Sequence, residues 1–191
     1  MSEPVLAWHF LADDGRLRFG DRPVVTAGST LAATGRLSLC NNGMHASLRA
    51  FDALQYAPGS VVCRVELSGQ IVHGDDKLCA RKRHVLWMAD ATQELHAFSA
   101  DAAEWILDRL AAKDYKIDLR SRAAVEAKRR WLRGEITDKE LAAAWSAAWA
   151  DAGDAAGADA GDAALHAAWH AARDELNTML ERRLLALEGP V

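Results

Sequence analysis

Residues 61–67 read Val-Val-Cys-Arg-Val-Glu-Leu, a run rich in β-branched side chains with Arg64 and Glu66 on one face. That pattern is a β-strand. Just before it, Ala57-Pro58-Gly59 ends a short helix, since proline cannot continue a helix and glycine accepts the turn. Ser47 is the expected N-cap of that helix, which runs to about Tyr56 with Leu48, Phe51 and Leu54-Gln55 turned to one side. Just after the strand, Ser68-Gly69 makes a break, and Gln70 to His73 continues the sheet. Arg81 to Met88 fits either a strand or a helix.

Further toward the N-terminus, Val5 to Phe10 reads as a strand. Asp13-Asp14-Gly15-Arg16 is a turn that leads into Leu17-Arg18-Phe19 as its expected hairpin partner. Val24 to Thr26 is a second short β run closed by Gly28, and Arg36 to Leu39 alternates before the turn Asn41-Asn42-Gly43. Toward the C-terminus, Ser99 is the expected cap of a helix in which Ala102, Trp105, Ile106, Arg109 and Leu110 recur at helical spacing. Strands followed by helices give an α+β fold: a small mixed or antiparallel sheet with short helices, then a helical extension.

Composition changes near residue 120, so the expected domains are 1–119 and 120–191. Ser121 is expected to cap a helix ending at Gly134, and Thr137 with Glu140 forms a capping box for the next. In that helix Leu141, Trp145 and Ala148 form one stripe. Ala142 to Ala172 is largely alanine, punctuated by tryptophan, aspartate and Gly153, Gly157 and Gly161. These glycines favour a bend, and hence a helical hairpin, over one unbroken rod. The last helix carries Leu165, Trp169, Ala172, Leu176, Met179/Leu180, Leu184 and Leu187 as an apolar stripe. It must cover the neighbouring helix, the first domain or a second copy of the chain. Residues 120–133 carry six basic side chains against Glu126, whereas 138–175 carry eight acids against two basic residues. Such opposite patches pair within a chain or across a symmetric dimer.

Half the 191 residues are hydrophobic and 26% are charged, which fits a globular protein. A formal net charge of −4 gives no general attraction for nucleic acid. The start, MSEPVLAWHF, lacks a signal-peptide pattern, and no stretch has the roughly 20 apolar residues of a membrane span. Three cysteines without CxxC spacing fit reduced thiols, so a cytoplasmic location is expected.

Cys40–His45 and Cys79–His84 share one spacing, and two thiolates with two imidazoles make a tetrahedral zinc set. The alternative is a pair of small buried thiols. Asp75-Asp76-Lys77, followed by Arg81-Lys82-Arg83, is a charged loop suited to a phosphate, an acidic partner or plain solvent. Arg129 and Arg130 lie on the basic helix. Trp145, Trp149 and Trp169 stand on an alanine scaffold where they supply most of the area available for burial, internally or against a partner.

Gly43 to Ser47 (GMHAS), the helix ending at Tyr56 and the strand VVCRVEL together resemble part of the ADP-ribosyltransferase fold. The resemblance implies NAD as cofactor, with His9 as the ribose-holding histidine, Tyr56 as the stacking aromatic, and Glu94 or Glu66 as the acid. Over nearly its full length the chain resembles an uncharacterised family common in phages, prophages and mobile elements, whose members are often labelled hypothetical or immunity proteins. That resemblance rests on GMHAS, Asp52 to Gly59 (DALQYAPG), Arg64 to Gly69 (RVELSG), Asp76-Lys77, Ala124 to Asp138 (AVEAKRRWLRGEITD) and the alanine tract with its tryptophans and aspartates.

The leading expectation is a phage-encoded accessory protein that needs no cofactor and binds another protein, such as a bacterial defence complex, in the manner of an anti-CRISPR inhibitor. Its contact residues would be Trp145, Trp149, Trp169, Arg129, Arg130, Asp75, Asp76 and Lys77, with a homodimer through the C-terminal helices. Nucleic acid and membrane are not expected partners. The alternatives are an NAD-dependent ADP-ribosyltransferase and a zinc-stapled structural module built on Cys40, His45, Cys79 and His84.

Overall fold

The computed structural model describes residues 3–19, 23–152 and 162–188, with side chains described up to 148 and again from 172. The fold is α+β, and the described residues form a five-stranded antiparallel sheet and five helices. The run 61–67 is the first half of β4 (Val61–His73), which turns back into β5 (Leu78–Asp90). Arg81 to Met88 is therefore strand. The expected break at Ser68-Gly69 is a bulge: pairing with β5 slips between Ser68 and Ile71, and the strand carries on.

The partner of β1 (Val5–Leu11) is β4, with His9 opposite Cys63, and not the expected Leu17–Phe19. β1 buries side chains on both faces, Ala7 and Leu11 on one, Trp8 and Phe10 on the other. Such a strand needs a long, apolar neighbour, and Phe19 is left exposed. The Val24–Thr26 run likewise reduces to one bridge between Arg16 and Val24. β2 (Thr30–Ala32) and β3 (Met44–Ala46) both pair with β5, β3 at its start and β2 further along.

Ser47 then exchanges two backbone hydrogen bonds with Trp8, at 2.7 and 2.9 Å. This bridge carries the pairing β1–β4–β5–β3 back to β1, so the strands form a ring around Ala7, Leu11, Ala46, Cys63, Val65 and Leu67. With its backbone so engaged, Ser47 is not the cap of α1 (Ala50–Leu54), whose N-cap Arg49 makes no side-chain cap bond. Leu48 is exposed rather than turned to the core.

The free N–H groups of α1 are instead met by α5 (Asp162–Leu185). Asn177 Oδ1 accepts from Phe51 N at 2.8 Å, and Glu181 Oε1 accepts from Ala50 N at 3.0 Å and from Arg49 Nε at 2.9 Å. A five-residue helix cannot stand alone in water, so a cap supplied from a distant element is what holds it. The stripe Leu176, Leu180 and Leu184 is buried, as is Asn177. Of the three coverings open to this stripe, the first domain is the one found. The compact units are accordingly 1–92 with 175–191, and 93–174, whereas the change in composition falls near residue 120.

The second unit holds most of α2 (Thr92–Ala111), α3 (Leu119–Leu132) and α4 (Asp138–Ala152). α2 begins seven residues before Ser99, where Asp90 Oδ1 accepts from Thr92 N at 2.9 Å. Ser99 lies inside the helix and donates to the His96 carbonyl. Asp118, not Ser121, caps α3, accepting from Arg120 N at 2.7 Å. The capping box forms as expected: Glu140 Oε2 accepts from Thr137 N at 2.8 Å and Thr137 Oγ1 from Glu140 N at 3.3 Å. α3 and α4 pack together. Along α4 the partly covered positions are Leu141, Ala144 and Ala148, while Trp145 stays exposed. Gly153, Gly157 and Gly161, with the bend expected of them, lie outside the described residues, as do the side chains of Trp149, Leu165 and Trp169.

Candidate functional site

The β4–β5 turn and the end of α1 meet. Tyr56, just beyond α1, donates its hydroxyl hydrogen to Asp76, and Lys77 Nζ donates to the same oxygen at 3.0 Å while lying 4.2 Å from the ring centroid. Lys77 also hydrogen-bonds the exposed Cys40, whose backbone takes the left-handed φ of 63°. These bonds, Tyr56 first, raise the Lys77 pKa, so its amine stays a fixed cation rather than a nucleophile or base. Residues assigned to three different chemistries in the sequence thus share one surface: Cys40 from the zinc set, Tyr56 from the NAD pocket, Asp76 and Lys77 from the charged loop.

His45 is committed to its own turn. Its Nε2 accepts from Cys40 N at 3.0 Å, and the ring also hydrogen-bonds the Gly43 backbone. With both nitrogens engaged the ring has no lone pair for a thiol proton or a metal. Cys79 is buried and directs its thiol to the Asn42 carbonyl at 3.0 Å, and burial raises its pKa. His84 lies five residues further along β5, about 17 Å away by strand geometry, where Thr30 holds its Nδ1 at 2.9 Å. The zinc set is therefore dispersed, and among the described residues no group of three or more His, Cys, Asp or Glu is placed to hold a metal ion.

The ADP-ribosyltransferase set divides as well. His9 points to the core face with Ala7 and Leu11, while Glu66, paired with Leu6, lies on the opposite face. Tyr56 is tied to Asp76 and Lys77, and Glu94 belongs to the second unit.

Sequence reasoning missed the most unusual side chain of the first unit. Arg83 follows Lys82 in a charged run that reads as solvated loop, yet it is 2% exposed. Its register row is Val5–Leu67–Arg83–Leu31, three aliphatic neighbours on the core face. Nη1 donates to the His45 carbonyl at 2.7 Å, and Nε is buried without a partner. Burial pulls the guanidinium down to about 10, which leaves it charged at neutral pH. Burial pushes the nearby Cys63 thiol up to about 12, so it stays neutral and offers no counter-charge. His9 is held well below its usual range by burial first, then by Arg83 and His45. Only the period-2 alternation with Val85 and the bulge-shifted pairing would have revealed this, and the shift is not legible in sequence.

The second unit has its own buried cation. Lys128, lowered by burial, shares a hydrogen bond with His96 Nδ1 at 3.2 Å and lies 4.2 Å from the Trp131 ring centroid. Arg129 is not free for a partner: it pairs with Asp101 and Glu104 of α2. Arg130 pairs with Glu135, Arg133 with Glu126 and Glu135, and Arg122 with Asp108. Among the described ion pairs, the acids that meet the basic helix all precede residue 138.

His9, His45 and His96 all lie below the ordinary value of 6.5, each chiefly through burial. The unfolded chain therefore takes up protons before the folded one as pH falls, and stability drops from about pH 6.5 downward. Urea midpoints read by tryptophan fluorescence are expected to be lower at pH 5.5 than at 7.5, with a shallower fall in His9→Gln. A midpoint unchanged over that range contradicts these burials.

The model of a family described as Domain of unknown function (DUF7666) matches residues 20–97, which span β2 to the start of α2. The match takes in Cys40, His45, Tyr56, Lys77 and Arg83 but not β1 or α5. No curated protein and no solved structure matches the chain. The described helices include none long and apolar enough to cross a membrane.

Proposed function

We propose that this is a phage- or mobile-element-encoded accessory protein that acts by binding another protein, its target a bacterial defence complex of the kind anti-CRISPR inhibitors block. The observation that carries this reading is the set of large apolar side chains the helical unit leaves in solvent. Leu119 is 82% exposed, Tyr115 58% and Trp145 43%, and Ile106 and Leu110, one turn apart on α2, are exposed too. Aromatic anchors of this kind supply most of the energy in protein interfaces. The polar groups suited to chemistry are largely spent within the chain: His45 on its turn, Tyr56 on Asp76 and Lys77, Arg129 on two carboxylates. The phage setting and a bacterial cytoplasm as the place of action rest on the resemblance of the sequence, over nearly its full length, to a family common in phages and mobile elements. A homodimer through the C-terminal helices is a lesser part of this reading, since α5 spends Leu176, Leu180 and Leu184 on its own chain.

The test is to express the chain in bacteria with an active CRISPR–Cas system and count phage plaques. Plating rises, and the chain co-elutes at fixed stoichiometry with a component of the defence complex. Unchanged plating with no stoichiometric component overturns the proposal.

An NAD-using enzyme stays the second reading for one reason: His9 faces an interior that holds a buried cation, Arg83. It requires the melting temperature to rise in millimolar NAD and the rise to vanish in His9→Ala. An unchanged melting temperature disposes of it.

A further inference from the structure

A buried, charged guanidinium without a carboxylate is costly. Taking an ion out of water costs several kcal/mol even after relaxation, and only a counter-charge with full hydrogen bonding offsets this. Arg83 has neither. Among the described residues it makes no ion pair, and one hydrogen bond, to the His45 carbonyl, serves the whole head group. The chain has 27 acidic residues against 23 Lys and Arg, so acids are not scarce. None of the described acids pairs with it. The surroundings are the neutral Cys63, His9 and the aliphatic residues of the strand ring.

We propose that the interior of the strand ring binds a small oxyanion, the phosphate or carboxylate group of a ligand, with Arg83 as its charged anchor and His9 as a polar neighbour. An oxyanion meets both deficits of Arg83 at once, since it brings the missing charge and accepts from Nε in the fork geometry that suits guanidinium. The proposal is independent of the docking reading, because it concerns the other unit and a different class of ligand.

Thermal unfolding and titration calorimetry of the full chain test it, with inorganic phosphate in one arm, acetate in a second and chloride at equal ionic strength as control. The wild type is expected to bind phosphate or acetate saturably and to melt higher in it, and the arm that responds identifies the group. Arg83→Met is expected to melt higher than wild type without added anion, because removing an unpaired buried ion relieves its desolvation, and to bind at least tenfold more weakly. Arg83→Lys keeps the charge and retains part of the binding, which provides the comparison should Arg83→Met not fold. No saturable heat with either anion in the wild type, or equal binding in wild type and Arg83→Met, overturns it.

Discussion

Ending the chain at Asp174 is expected to leave the first unit unfolded, although the residues removed include no strand. The loss takes away Leu176, Leu180 and Leu184, all buried in that unit. Fully burying one such side chain is worth roughly 1.5–3 kcal/mol. Asn177 and Glu181 leave with them, and the N–H groups of Phe51 and Ala50 lose their acceptors, each worth about 1 kcal/mol. Together these losses rival the roughly 5–15 kcal/mol by which a domain is stable at all. Circular dichroism of the truncated chain is expected to show helix with little sheet. The milder Leu180→Ala should cost about 2–5 kcal/mol in urea unfolding. A truncated chain with a cooperative sheet transition contradicts the assignment of α5 to this unit.

Gly43→Ala is the second large effect, from a single methyl group. Gly43 has φ 136°, a conformation that L side chains rarely adopt, and a Cβ there would fall on the Cys79 sulfur with Leu37 at 3.1 Å. Cys79 cannot step aside, since it is buried among Ala33 and Leu37. Strain and overpacking together are expected to cost about 3 kcal/mol. The double variant Gly43→Ala with Cys79→Ala removes the clash but keeps the strain, and should recover part of the loss. Equal stability of Gly43→Ala and wild type in a urea titration would mean that this turn is not packed as described.

The fold class was legible because the signals that decide it are local. VVCRVEL, the Pro58-Gly59 stop, the Thr137–Glu140 box and the leucine stripe of α5 each state their own structure. What escaped was set by partners far along the chain. Ser47 looks like a cap, but Trp8 claims its backbone and α5 supplies the cap from 126 to 131 residues away. Ser99 and Ser121 were outcompeted by Asp90 and Asp118, which stand just ahead of their helices and carry a charge that favours a helix start. The candidate site was half legible. GMHAS, Tyr56 and Asp76-Lys77 stand out in the sequence and meet in space. Their meeting needs the β4–β5 hairpin to return beside α1, and the burial of Arg83 needs a bulge at Arg64/Val65 to set its register. Neither is written in any short stretch.

The docking account is decided by phage plating on cells with an active CRISPR–Cas system, comparing wild type with Leu119→Asp, Trp145→Ala and His9→Ala. Leu119 and Trp145 are exposed, so their variants fold as wild type does and lose the plating gain, while His9→Ala keeps it. Full activity in Leu119→Asp and Trp145→Ala, together with its loss in His9→Ala, would place the function in the strand ring and contradict the account.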